Sequence, residues 1–275
     1  MPRWLARGAD RTLLATALLF LACAPITLAL SFLDQRLLDG VNVWHKPLKF
    51  QVSVGVFLGT LACMMPLAGE QFRFGRWGRG VVWVAVATSV FEIAWITLQA
   101  GRGERSHYNG DSAFGSAMYA AMGIAAVALS LTPVAIGLAA AVSRSSHPAI
   151  RIAQWGAVLG AITSLVGAAG VGLLLGGEPA HYPDPEAAED RRIPFVGWSL
   201  TGGDLRLAHF AGLHALQGLL ASALMLGFFK VSPRLAKVVL VVLAAGWVAA
   251  TIGLARLALR NTSPFSGVFA AMLGG

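Results

Sequence analysis

From Thr12 to Leu33 the chain carries no charged residue, and apolar runs of similar length recur along it. A run near 20 residues is long enough, as a helix, to cross the hydrocarbon core of a bilayer. The spans read as about 12–33, 48–68, 81–100, 113–142, 152–175, 205–229 and 235–257, seven in all. Inside lipid every backbone polar group must be paired within its own segment, so apolar runs of this length predict helices. The expected fold is therefore an all-α, polytopic transmembrane bundle forming one domain. Only 12% of residues are charged and 56% are hydrophobic, against roughly 25% charged in a typical soluble domain. Pro25, Pro66 and Pro133 fall inside spans and are expected to kink them.

The start of the chain imitates a signal peptide, with basic residues, an apolar core and Ala22-Cys23-Ala24. Pro25 follows that apparent cleavage site and the run continues through Phe32, so a retained first helix is expected. Cys23 and Cys63 lie in spans, form no CxxC pattern and read as small core residues.

The net charge of +8 does not point to nucleic acid, because the basic residues sit in short connections between apolar spans. The connections holding Arg73, Arg76, Arg79, Arg144 and Arg151 are nearly free of acid. That pattern places the N-terminus in the cytoplasm and the C-terminus outside. The outer connections then hold most of the acidic residues. The connection 176–204 is long; its middle is acidic and proline-rich, and its apolar end, 193–198, is expected to lie over the bundle as a lid.

Against this apolar background the intramembrane polar residues are functional candidates. Arg206, His209, His214 and Gln217 fall on one arc of the sixth span, about 140° wide. Glu92 is the only carboxylate deep in a span, with Trp95 and Gln99 on its side. His209, His214 and Glu92 are candidates for proton transfer. Glu92 and His214 count to nearly the same depth and are expected to face each other. Lys46, Lys49, Arg102, Arg105, Asn109, Asp204, Arg206, Gln217 and Trp198 are candidate contacts for a small or lipid-like anionic ligand. Lys46 and Lys49 have an alternative reading as interfacial anchors. Ordinary solvated charge is the alternative for Arg102 and Arg105.

His45, His107 and His209 all lie at outer ends of spans. With Asp204 or Glu104 they are a candidate N/O site for zinc, copper or iron. No HExxH motif supports that site. A transmembrane haem fits less well, because His209 and His214 are five residues apart on one helix and point about 140° away from each other. In the fifth span Gly156, Gly160, Thr163, Gly167 and Gly170 make a smooth seam for a neighbouring helix.

The polar groups cluster in the outer half, while the inner halves are mostly apolar. That disfavours a transporter, which needs a midplane site open to both sides. The leading expectation is an outward-facing His/Arg/carboxylate pocket, with a metal-dependent membrane enzyme as its catalytic form. A non-catalytic sensor or assembly factor and a proton-coupled transporter are the alternatives.

HKPLKF at 45–50, RGERSHYN at 102–109 and GWSLTGGDLRLAHFAGLHALQ at 197–217 resemble segments shared by a group of uncharacterised bacterial multi-pass membrane proteins. The resemblance implies a bacterial inner-membrane location and carries no activity.

Overall fold

The computed structural model describes residues 10–109, 112–143, 145–177, 193 and 195–265. Seven helices in it are long and apolar enough to cross a membrane. They are α1 (Arg11–Leu33), α2 (His45–Met64), α3 (Arg76–Arg102), α4 (Ala113–Ser143), α5 (Pro148–Gly177), α6 (Leu205–Phe228) and α7 (Pro233–Leu259). The all-α, seven-span reading holds, and the chain is a multi-pass membrane protein.

Local chemistry sets several helix ends. Asp10 accepts from the amides of Thr12 and Leu13 to start α1. Asp204 accepts from the Arg206 amide at the start of α6. Ser232 does the same for α7 through the Leu235 amide, with Pro233 in the first turn. Each side chain replaces a partner that the first turn of a helix lacks. Pro25 and Pro133 lie inside continuous helices. Pro66 instead starts a 3₁₀ turn, Met65–Ala68, where α2 ends. There its missing N–H leaves no gap in an established helical ladder.

The central apolar core joins Leu13 of α1, Leu58 and Leu61 of α2, Ala85 of α3, Ile136 of α4, Ala157 of α5 and Leu216 of α6. The predicted glycine seam packs α5 against α6. A Cβ on Gly156 would collide with Ala223, and one on Gly167 with the Gly212 backbone. A Cβ on Gly160 would lie 3.0 Å from the Leu216 carbonyl oxygen. Gly170, at the end of the predicted seam, meets nothing within 4 Å. Many large apolar side chains, among them Leu18, Trp83, Ile124 and Leu138, face outward. In a bundle of this class such side chains meet lipid.

The connection between α1 and α2 is ordered by a small hairpin, in which β1 (Leu37–Leu38) pairs antiparallel with β2 (Val41–Asn42). Its two-residue turn is Asp39-Gly40, with φ of 52° and 74°. Both central residues of such a turn need positive φ, which Asp and Gly tolerate. The acidic middle of the long connection, 178–192, lies outside the described residues.

Candidate functional site

The ends of α1, α3, α5 and α7 meet the starts of α2, α4 and α6 at one face of the bundle. There the hairpin is tied down by Asp34. Its carboxylate accepts from Arg36 Nε at 2.9 Å, Arg36 Nη2 at 2.7 Å and Trp44 Nε1 at 2.8 Å. Arg36 Nη2 also donates to the Gly101 carbonyl at 3.1 Å, linking the hairpin to the end of α3. Bonding to Arg36, and then to Trp44, holds the Asp34 carboxyl well below the usual carboxylate range.

Arg102 and Arg105 do not converge on a shared ligand position. Arg102 pairs with Glu104 at 3.0 Å and Arg105 with Asp39 at 2.6 Å, all four side chains being substantially exposed. Exposed pairs of this kind contribute little energy. Asn109 shapes the loop: its Nδ2 donates to the Arg105 carbonyl at 3.2 Å.

Lys46 and His107 do come together. Lys46 Nζ lies 3.0 Å from His107 Nδ1, and Ser106 Oγ lies 3.1 Å from the same nitrogen. A charged ammonium has only donors, so Nδ1 accepts and the ring proton sits on Nε2. Phe50 and Tyr119 flank the imidazole, each with its ring centre 6.1 Å away. Tyr119 also packs on Tyr108, whose hydroxyl donates to the Leu175 carbonyl at 2.7 Å. Burial, and then neighbouring Tyr119, push the Tyr108 phenol above its usual range.

One helical turn along α2 from Lys46, Lys49 Nζ donates to the Val196 carbonyl at 2.9 Å. This bond and the contact of Phe195 with the His45 ring, 4.9 Å between centres, bring the described part of 193–198 over the first turns of α2. Arg206 lies within electrostatic reach of both lysines.

Asp204 and Arg206 bond to each other. Asp204 accepts from Arg206 Nε at 2.9 Å and Nη2 at 2.7 Å, and from the Ser199 amide at 3.1 Å. Arg206 Nη2 also reaches the Gly197 carbonyl at 2.6 Å. The Asp204 side chain is 4% exposed and that of Arg206 24%. Both are candidate ligand contacts by sequence; the structure gives them to the turn that opens α6. Gly203 explains part of the Gly-Gly-Asp sequence, since a Cβ there would collide with the Ala258 backbone of α7.

Glu92 is 6% exposed, and its Oε1 has no hydrogen-bond partner. The charge that acts on it is Lys46. Among the described residues no hydrogen bond joins Glu92 to His214, which packs on Phe210 at 4.1 Å and lies beside Gln217. Trp198 also meets Phe210 edge-on at 5.2 Å, so Trp198, Phe210 and His214 form one aromatic cluster. Gln217 keeps a buried carbonyl oxygen without a partner.

The metal triad is corrected. Among the described residues no three His, Cys, Asp or Glu side chains group closely enough to hold an ion. His45 rests on Phe195, His107 on Lys46, and His209 against α5, where a Cβ on Gly172 would lie 3.3 Å from His209 Cε1. The Nδ1 atoms of His45 and His209 are buried without partners.

The fold and this polar end define the class, a multi-pass helical membrane protein. No family model, curated protein or solved structure matches the chain.

Proposed function

We propose that this is a bacterial inner-membrane protein whose outer end binds a small anionic or lipid-like molecule, with Lys46 and Lys49 as the cationic contacts. One observation carries the reading. Lys46 is bonded to a neutral imidazole and Lys49 to a backbone carbonyl. Among the described residues neither ammonium has a hydrogen-bonded carboxylate, and Asp204, the nearby acid acting on Lys49, is already bonded to Arg206. Partly buried positive charge in this state is relieved by an incoming anion. The unpartnered nitrogens of His45 and His209 add hydrogen-bonding capacity at the same end. Basic, acid-poor connections on the opposite side support an orientation with the N-terminus cytoplasmic and this end outside. A reporter active only outside the membrane, fused after Gly275, reads that orientation.

The test uses the purified protein in mild detergent, with inorganic phosphate and a short-chain phosphatidic acid as probes. Wild type is expected to unfold at a higher temperature with at least one of them. Lys46→Met and Lys49→Met should each remove most of that shift. Equal shifts in all three proteins, or none in wild type, would overturn the reading.

A further inference from the structure

A groove of about 580 Å³ runs between α1, α2 and α3. Lys46, Glu92 and His107 do not line it, so the groove is separate from the anion site assigned to Lys46 and Lys49. Leu19 and Phe20 of α1 and Val90 and Ile93 of α3 form apolar walls. Gly101 and Arg102 form the rim at the polar end of the bundle.

Two polar side chains interrupt the apolar lining. Gln51 is 4% exposed, and its Oε1 is buried without a partner. Thr97 Oγ1 is also buried without a partner. That is unusual within this chain. Thr16, Thr27, Thr60, Thr88 and Thr251 each return their hydroxyl to the carbonyl four residues back. In a membrane that return bond is the default for a helical threonine, because no water competes for the hydroxyl. Thr97 forgoes it in the same groove as Gln51, whose side-chain carbonyl also lacks a protein partner. Unpaired polar groups in an apolar setting are costly unless something else satisfies them.

The spacing suits a particular molecule. Thr97 lies five residues before Arg102 on α3, which is roughly 7.5 Å along the helix. Arg102 is about half exposed and its bond to Glu104 is a surface pair, which leaves guanidinium donors for a phosphate. An amphiphile with an anionic head, a polar ester region just below it and an acyl chain matches this order of groups.

We propose that the groove is a binding site for one phospholipid with an anionic headgroup. Arg102 takes the phosphate, Thr97 Oγ1 donates to an ester carbonyl, and an acyl chain lies along Leu19, Phe20, Val90 and Ile93.

Ala94 and Leu98 are exposed on the groove wall, so larger side chains there fill it without entering the core. The full chain is reconstituted in nanodiscs of equal parts phosphatidylglycerol and phosphatidylcholine, then released into mild detergent for native mass spectrometry. Wild type should retain one phosphatidylglycerol per chain. Ala94→Phe and Leu98→Trp should each lower retention about tenfold. Leu138→Trp makes a similar change on the exposed face of α4, away from the groove, and should retain the lipid as wild type does. Thr97→Val should weaken retention of both lipids, whereas Arg102→Gln should abolish the preference for phosphatidylglycerol. Loss of preference in Arg102→Gln reports on the headgroup even if a groove-filling variant folds poorly. Unchanged retention in Ala94→Phe and Leu98→Trp, or no headgroup preference in wild type, overturns the proposal. So does a change of oligomeric state in Ala94→Phe without lipid loss, which would assign the groove to a second copy of the chain.

Discussion

Lys46 Nζ and His107 Nδ1 stand 3.0 Å apart, joining the first turn of α2 to the loop that follows α3. The residues are 61 positions apart in sequence, so the bond fixes how two elements meet. A hydrogen bond to a charged group contributes roughly 1.5–3 kcal/mol. His107→Phe should keep the packing on Phe50 and Tyr119 while removing the acceptor, and should destabilise by about 1–3 kcal/mol. Adding Lys46→Met should cost less in that background than in wild type. Unfolding of the four proteins in detergent measures the coupling. Full additivity would mean that the contact contributes nothing.

Asp204 serves as the cap of α6, the acceptor of the Ser199 amide and the partner of Arg206. Removing a buried charge that has this many donors leaves each of them unsatisfied. Asp204→Ala should cost about 2–4 kcal/mol, and Asp204→Asn somewhat less because it still accepts one set. Thermal unfolding and proteolysis near 197–204 report the loss. A change below about 0.5 kcal/mol, the usual effect of a surface substitution, would contradict the assigned role.

Asp34 and Tyr108 set opposite pH limits. The Asp34 carboxyl is depressed by Arg36 and then Trp44. Its stabilisation is therefore present above the ordinary carboxylate value and is lost as pH falls through the lower, folded value. The difference in melting temperature between wild type and Asp34→Asn should be intact at about pH 5 and close only below about pH 4. The Tyr108 phenol is raised by burial and then by Tyr119. Its contribution is complete below about pH 10 and declines as pH rises further. Tyr108→Phe should lose that alkaline decline. A gap at Asp34 already closed at about pH 5 would contradict the bonding described.

The seam between α5 and α6 gives a contrast on one helix. Gly167 lies against Gly212 too closely for any Cβ, whereas Gly170 meets nothing within 4 Å. Gly167→Leu should prevent the close approach and unfold the bundle or lower its melting temperature sharply. Gly170→Ala should be neutral or stabilising by up to about 1 kcal/mol, the helix preference of Ala over Gly. Equal effects at the two positions would show that the seam is not the contact.

Apolar length locates all seven spans, because lipid leaves a chain few alternatives. Asp204 opens its helix where the sequence places a helix start. The Asp39-Gly40 turn is a hairpin signal, but each strand is only two residues long, too short for any alternation to show. Helical periodicity gives a residue's azimuth and depth but not which helix stands opposite. Arg105 thus meets Asp39, 66 residues away, and Lys46 meets His107. Neither spacing leaves a local pattern. Depth counting also treats each residue as a point on its helix, whereas a lysine's long stem carries its charge well away from its own turn.

Glu92 illustrates that last point. Counting from helix ends sets it level with His214, yet the charge acting on it is Lys46, and its Oε1 has no hydrogen bond. Lys46 therefore answers to the His107 acceptor and to two carboxylate charges, Glu92 and then Asp39. Through a medium of intermediate dielectric, and without direct contact, a charge pair is worth on the order of 1 kcal/mol. Glu92→Gln keeps the shape and removes the charge. Combined with Lys46→Met, it should be non-additive by about that amount, because each single variant leaves the other charge uncompensated. Combined with His214→Asn, it should be additive to within about 0.5 kcal/mol. The phosphate and phosphatidic acid probes supply a readout that stability alone does not. With the opposing carboxylate gone, the Lys46 ammonium is freer to meet an anion, so Glu92→Gln should bind them at least as tightly as wild type. Coupling of Glu92 to His214 rather than Lys46, or loss of anion binding in Glu92→Gln, would reverse the assignment.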